Sequence, residues 1–322
     1  MNSKRIMVTG SAGFIGFHLT KNLLENGFTV LGVDELNDYY DISLKRARLT
    51  ILNKYRKFSF CGLDISDRDM LSKTFTDFKP VKVVNLAAQA GVRYSLINPY
   101  AYMDANLVGF LNILELCRYN DVEGLIYASS SSVYGSNTKI PFSVEDRVER
   151  PISLYAATKR ASELIAYSYS HLYGIHTTGL RFFTVYGPWG RPDMAIYIFA
   201  DKISRGERVP LFNYGKMKRD FTFIKDIVAG IRASMEKNYK CEVFNLGNHR
   251  SEDIMEVVRL IEVNMGKKAE IELLPIQPGD VLNTFADIDH SKKLLGYEPT
   301  TDIDVGIGIF IKWFKQYTGK CE

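Results

Sequence analysis

No stretch of this 322-residue chain holds the roughly 20 uninterrupted apolar residues that a membrane span requires. The chain also lacks an excess of one charge: Lys and Arg number 41 against 37 for Asp and Glu, a formal +4, too mild for a nucleic-acid partner. Its four cysteines, Cys61, Cys117, Cys241 and Cys321, are dispersed without metal-ligand spacing and read as reduced thiols, so neither a metal site nor a disulfide framework is expected. No internal repeat, low-complexity tract or linker rich in Pro, Gly and Ser breaks the sequence. Met1 to Lys4 lead directly into an apolar segment, and the expected location is cytoplasmic, with no membrane partner. What is present is ample apolar material, 46% of residues, enough for one large core or a core with a smaller appended lobe.

That material is organised. Short β-branched runs at 5–9, 29–33, 58–62, 82–86, 125–128 and 177–182 alternate with amphipathic stretches such as 16–26 and 106–118. The alternation predicts a parallel sheet with crossover helices on both faces, an α/β fold with a doubly wound, Rossmann-type sheet. Beyond Gly187-Pro188 the pattern loosens. Helices are expected at 197–205, 224–236, 251–264, 290–295 and 305–317, and one more strand, 243–246, is expected to return to the sheet.

In such sheets ligands bind beyond the carboxyl ends of the strands, and each expected strand here ends in residues suited to one. After the first comes Gly10-Ser11-Ala12-Gly13-Phe14-Ile15-Gly16 and then a helix, a turn that lets the backbone and the helix N-terminus approach a pyrophosphate. Asp34 closes the second strand about 20 residues on, where a carboxylate accepts from adenosine ribose hydroxyls. Glu35 adds a second negative charge that would repel a 2′-phosphate, so NAD is favoured over NADP. Lys45, Arg46 and Arg48 downstream read as a solvated helix face. Asp64 follows the third strand, suited to an adenine amino group or to a turn. Leu86, Ala87, Ala88 and Gln89 give the fourth a small-residue end with room for a flat cofactor.

The fifth strand runs into Ser129-Ser130-Ser131-Ser132-Val133-Tyr134-Gly135, a hydroxyl cluster, and the sixth into Arg181-Phe182-Phe183-Thr184. Tyr155 and Lys159 are then spaced to share one helix face, where a lysine ammonium would favour an ionised phenol. A tyrosine near its ordinary pKa of about 10 is a poor base at neutral pH, so a nearby cation is what such chemistry needs.

Together GSAGFIG, Asp34, NLAAQAG, SSSSVYG and YAATK resemble the extended short-chain dehydrogenase/reductase family, specifically its nucleotide-sugar epimerases and dehydratases, over nearly the whole chain. The resemblance implies a tightly held NAD, a C-terminal lobe for a nucleoside diphosphate sugar, and a homodimer built on a four-helix bundle. It places the catalytic trio on Ser130, Tyr155 and Lys159, and adds Phe14, Ile15, Asn37, Ile65 and Asn106 to the cofactor contacts. Dehydratases of this family resemble one another in an Asp-Glu pair before Val-Tyr-Gly, and decarboxylases in a Glu. Ser131 and Ser132 stand there instead, which leaves epimerisation.

The segments 37–41, 187–195 and 274–281 are similar to UDP-glucuronate 4-epimerases. That similarity implies Thr184 and Arg191 on the sugar carboxylate, which a guanidinium fork suits. Phe212 is implied against uracil, Arg219 on the diphosphate or ribose, Asp280 on ribose hydroxyls, and Arg93 with Ser130, Ser131, Ser132 and Tyr155 around the sugar. Glu35 and Gln277 depart from the residues usual in the family.

The expected division is therefore a NAD-binding Rossmann domain at 1–183 with a return near 224–247, and a nucleotide-sugar lobe at 184–322. The expected reaction is C4 epimerisation of UDP-glucuronate to UDP-galacturonate through a 4-keto intermediate. Rival readings are a 4-epimerase of a neutral UDP-hexose or UDP-N-acetylhexosamine and, ranked below it, a UDP-glucuronate decarboxylase. A dinucleotide sensor without turnover has no use for the trio.

Overall fold

A computed structural model describes residues 4–277, 279 and 281–319. The strands β1 (Arg5–Thr9), β2 (Thr29–Asp34), β3 (Phe58–Gly62), β4 (Lys82–Asn85), β5 (Gly124–Ser130) and β6 (Thr177–Phe182) lie where the β-branched runs predict, within a residue or two at each end. With the strand Cys241–Leu246 they form one seven-stranded sheet, in the order Cys241–Leu246, β6, β5, β4, β1, β2, β3, and all its pairings are parallel. The order reverses at β1 and β4, so the sheet has a crevice there at its carboxyl edge.

Alternation along each strand divides the core between the two faces. Ile6 and Val8 join one apolar cluster with Val84, Ile126 and Leu180, while Met7 joins the other with Leu31, Val83 and Leu125. The first cluster continues into Phe199, Ile227, Val257 and Phe310, so the residues after 184 share a core with the sheet.

The helices α1 (Phe14–Glu25), α2 (Ile42–Leu52), α3 (Arg68–Phe78), α4 (Pro99–Met103), α5 (Gly109–Tyr119) and α6 (Leu154–Tyr173) connect the strands. The single stretch expected at 106–118 is broken: a π-helical turn, Asp104–Val108, separates α4 from α5 and turns Asn106 inward to 3% exposure. Helix α6 is stopped at both ends by local chemistry. Ser153 caps it, its hydroxyl accepting from Ala156 N at 3.1 Å, and Gly174 ends it at φ +71°.

One buried polar network joins α6 to three neighbouring strands. Ser129, Arg181 and Asn245 are lateral neighbours in the ladder. Ser129 Oγ donates to Glu163 Oε1 at 2.6 Å, and Arg181 grips both Glu163 oxygens at 2.8 and 2.9 Å. Arg181 also donates to Tyr134 OH at 3.1 Å, and that hydroxyl donates to Asn245 Oδ1 at 2.7 Å. Burial would raise the Glu163 carboxyl, but Arg181, with Ser129 and Arg160, holds it below its ordinary value. Removing one partner of such a buried pair generally costs about 3–5 kcal/mol, so the network fixes α6 against the strand ends.

Candidate active site

The glycine turn after β1 is built by close approach. Gly10 has φ +68°, and a side chain there would lie 2.7 Å from Ala87 N. A side chain at Gly16 would lie 2.0 Å from the Gly10 carbonyl oxygen, so α1 packs against the turn as only glycine allows. Helix α1 has no acid in its first turn, and its cap, Gly13, offers no side chain, unlike Asp41, Asp67 and Ser153, which cap α2, α3 and α6. Its first amides, including those of Phe14 and Ile15, are thus left for an external anion. Asp34, 7% exposed, accepts from Ala12 N at 3.1 Å and Leu36 N at 3.0 Å, which holds its carboxylate at the end of β2. A cradle that side chains would fill, an uncapped helix and a fixed carboxylate fit a dinucleotide.

The remaining cofactor candidates divide. Ala87 N accepts its place from Thr9, donating to Thr9 Oγ1 at 3.1 Å, and leaves a small-residue floor beside Leu86 and Ala88. Asp64 is exposed and forms a turn, accepting from Ser66 N at 2.8 Å. Ile65 is buried against Gly109. Asn106 is committed to bracing: it accepts from Gln89 N at 2.9 Å and donates to Gln89 O and Thr158 Oγ1, each at 3.0 Å. Asn37 accepts from Lys45 Nζ at 2.7 Å and donates to Glu35. Loss of hydration and the nearby Asp64 raise the Glu35 carboxyl.

Lys45 and Arg48 correct the reading of a solvated face. Arg46 is exposed, but Lys45 and Arg48 are 5% and 0% exposed. Arg48 spans three segments, donating to Ala12 O and Tyr40 OH at 2.8 Å each and to Trp189 O at 2.6 Å.

At the other side of the crevice α6 brings Tyr155 to Ser130. A hydrogen bond from Ser130 and the charge of Arg191 lower the Tyr155 pKa, but burial outweighs them and leaves it above the ordinary tyrosine value. Lys159 differs from expectation. Its ammonium donates to Ala128 O at 2.9 Å and lies 6.0 Å from the centre of the Tyr155 ring, and burial lowers its own pKa to about 8. It is a cation beneath the ring rather than a partner of the phenol oxygen. Ser130 caps the short turn Ser131–Tyr134, accepting from Ser132 N at 3.1 Å, with Ser132 Oγ also 3.1 Å away.

Arg191 reaches the same space from the loop after the short strand Thr184–Tyr186. Asp193 takes its guanidinium side-on, through Nε at 3.0 Å and Nη2 at 2.5 Å, and Tyr39 OH donates to the same carboxylate at 3.0 Å. Thr184 is pinned by its backbone N–H to Asp220 O at 3.0 Å. Arg93 lies over the Phe212 ring at 4.3 Å, so one ring face expected to meet a base carries a guanidinium here. Arg219 donates to Leu282 O at 3.2 Å; Asp280 lies outside the described residues.

Sequence reasoning gave no role to Glu163, Tyr134, Tyr39 and His18, while the pairing of Arg191 with Asp193 was one of its readings of that loop. A glutamate eight residues beyond Tyr155 on the same helix, and an arginine inside the apolar strand β6, were the visible signals for the buried network.

A doubly wound sheet whose crevice joins a glycine cradle to a serine, tyrosine and lysine defines an enzyme that works on alcohols with a dinucleotide. Residues 6–247 match the model of the NAD dependent epimerase/dehydratase family, and the chain belongs to that family. It is 47% identical to Protein CapI of Staphylococcus aureus, over 98% of this chain and 100% of that one. It is 45% identical to UDP-glucuronate 4-epimerase 4 of Arabidopsis thaliana, over 98% of this chain and 76% of the relative. A crystal structure of UDP-glucuronic acid 4-epimerase from Bacillus cereus, in complex with UDP-glucuronic acid and NAD, superposes with a TM-score of 0.92 at 34% identity, over 97% of this chain and 99% of that one.

The loop carrying Arg191 is held in part by His18, whose Nε2–H donates to Pro188 O at 2.8 Å. Burial lowers the imidazole pKa from 6.5 to about 4, aided by the charges of Arg48 and Lys21 and opposed by the Pro188 bond. The unfolded chain takes up this proton first, so the stability from neutral His18 is whole above pH 6.5 and is lost as pH falls toward about 4. His18→Gln, which keeps an N–H donor, should flatten that loss in urea titrations run across the window; an unchanged slope refutes the neutral imidazole.

Proposed function

We propose that this chain interconverts UDP-glucuronate and UDP-galacturonate at C4 with NAD as resident cofactor. The observation that carries the reading is the placement of Arg191, a carboxylate-binding fork close enough for its charge to act on Tyr155. The cradle of Gly10, Gly13 and Gly16 with Phe14 and Ile15 would hold the diphosphate, and Asp34 with Asn37 the adenosine ribose. Ile65, Leu86, Ala87, Ala88 and Gln89 would line the rest. NAD held there would supply a reversible hydride acceptor for C4. Tyr155 takes the proton of the C4 hydroxyl and returns it, Ser130 hydrogen-bonds the same oxygen, and Lys159 binds the nicotinamide ribose. Ser131 and Ser132 supply hydroxyls but no acid for elimination. The 4-ketone must present its second face between the two transfers, so the grip on UDP, through Arg93, Phe212, Arg219 and Asp280, holds while the sugar turns.

Incubation of the purified protein with UDP-glucuronate, and separately with UDP-glucose, followed by chromatography, tests the reading. UDP-galacturonate is expected from the first; conversion of UDP-glucose alone supports the neutral-hexose alternative. Tyr155→Phe should lower kcat by about 10²–10⁴-fold while retaining cofactor, and normal turnover in that variant overturns the role of Tyr155.

The intermediate is a β-keto acid, with the ketone at C4 and the carboxylate on C5. It loses carbon dioxide only when the breaking bond aligns with the ketone π system. Arg191, steadied by Asp193, and Thr184 hold the carboxylate out of that alignment. Arg191→His should therefore release carbon dioxide and a 4-keto-pentose nucleotide, and a variant that epimerises cleanly sinks this account.

Helix α6 leaves Leu164, Tyr167 and Leu172 exposed at 52%, 64% and 65%, and Val108, which ends the π-helical turn, and Leu111 of α5 are exposed at 46% and 41%. Apolar stripes of this kind on two neighbouring helices suit pairing with the same helices of a second copy. Sedimentation should show a dimer that Leu164→Glu converts to monomer, and a monomeric parent protein rejects the pairing.

A further inference from the structure

Arg48 is fully buried, and among the described residues no carboxylate lies within ion-pair distance of it. A buried cation satisfied only by neutral oxygens is costly, and its Nε has no hydrogen-bond partner among the described residues. The oxygens it does reach are not local. Ala12 O belongs to the glycine turn, Tyr40 OH to the segment after β2, and Trp189 O to the loop that ends in Arg191, 141 positions away.

That loop needs holding. Trp189 has φ +61°, a conformation that non-glycine residues rarely adopt without support from their surroundings. Two successive carbonyls of the loop are gripped from the glycine-turn side of the molecule, Pro188 O by His18 on α1 and Trp189 O by Arg48 on α2. The indole of Trp189 packs on Phe17 of α1 at 5.6 Å, and Gly190 N closes the turn on Gly187 O at 3.1 Å. The next residue is Arg191. On the other side, the Ala12 peptide is clamped at both ends, its N–H by Asp34 and its C=O by Arg48.

We infer that Arg48 is a positioning residue that couples the two halves of the site: through one guanidinium it sets both the glycine turn that receives the cofactor diphosphate and the loop that presents Arg191 to the sugar carboxylate. The inference rests on the proposed reading for its sugar arm and not for its cofactor arm. The uncompensated charge sits directly behind the turn, so an anionic diphosphate supplies a counter-charge that the chain withholds. The planar fork also matters, since three acceptors on three segments demand several donors in fixed directions, which a lysine ammonium does not offer.

The test uses holoenzyme carrying Tyr155→Phe to block turnover, with Arg48→Met, Arg48→Lys and Arg191→Met added singly and in pairs. NAD retention is read by absorbance after gel filtration, and affinity for UDP-glucuronate and for UDP-glucose by calorimetry. Arg48→Met should lower NAD affinity by roughly tenfold or more, and lower UDP-glucuronate affinity by about tenfold while moving UDP-glucose by less than about twofold. In the Arg191→Met background the same change should add less than about twofold for UDP-glucuronate, because one residue acts through the other. Arg48→Lys keeps the charge and should hold NAD while still losing discrimination between the sugars, which decides the question if the methionine variant does not fold. Additive effects of Arg48 and Arg191, or equal losses on both sugars, overturn the coupling. If the parent holoenzyme binds UDP-glucose as tightly as UDP-glucuronate, the substrate reading falls, and unchanged NAD retention in the Arg48 variants then overturns this inference as well.

Discussion

Two hydrogen bonds between helix α6 and the end of β5 set the rest of the site. Lys159 Nζ donates to Ala128 O at 2.9 Å, and Ser129 Oγ donates to Glu163 at 2.6 Å, so successive residues of one strand are stapled to one face of one helix. Tyr155, Lys159 and Glu163 are spaced four apart and lie along that face. With the helix fixed in register, Tyr155 meets Ser130, the next residue of the strand. The fork of Arg181 on Glu163 gives the staple a rigid base, and Tyr134 extends it to Asn245, which donates to Phe142 O and Asp287 O at 2.8 and 2.9 Å. The residues after 184 are thereby anchored to the same serine turn that carries the chemistry.

The electrostatics follow from that packing. Burial makes Tyr155 a weaker acid than free tyrosine, and what favours its phenolate is a hydrogen bond from Ser130 and the charge of Arg191. Asp193 pairs with that guanidinium through Nε and Nη2. Lys159 lies beneath the ring, and its pKa, lowered by burial to about 8, still leaves it mostly charged at neutral pH.

Much of this was legible in the chain because it is local or periodic. The β-branched runs marked the strands, the glycine turn marked the cradle, and the spacing of Tyr155 and Lys159 marked a shared helix face. Most of the misreadings share a cause, the contact outside the helix's own period. Lys45 and Arg48 look like surface charges because their acceptors, Asn37 and Trp189 among them, are invisible to a helical period. The expected cation beside the Tyr155 hydroxyl is instead drawn down by the carbonyl of Ala128. The π-helical turn at Asp104–Val108 adds a residue that no simple 3.6-residue pattern records, and it is what turns Asn106 toward Gln89. Phe212 was read alone, whereas its face is shared with Arg93.

Epimerisation asks for a fixed base and a sugar that turns over, and the two demands fall on different kinds of structure. Ser130 and Tyr155 stand on a strand end and a helix bound by buried polar groups, so they cannot follow the sugar. The carboxylate on C5 moves when the ring presents its other face, and its holder must accept both positions. Under the proposed reading that holder is Arg191. Asp193 holds the guanidinium side-on through Nε and Nη2, which fixes its plane and leaves donors on the outer edge for the ligand. The root of its loop is pinned by His18 and Arg48, while its long side chain retains reach. Under the proposed reading, a rigid base opposite an anchored fork would let one ketone face follow the other without releasing the acid group into alignment for decarboxylation.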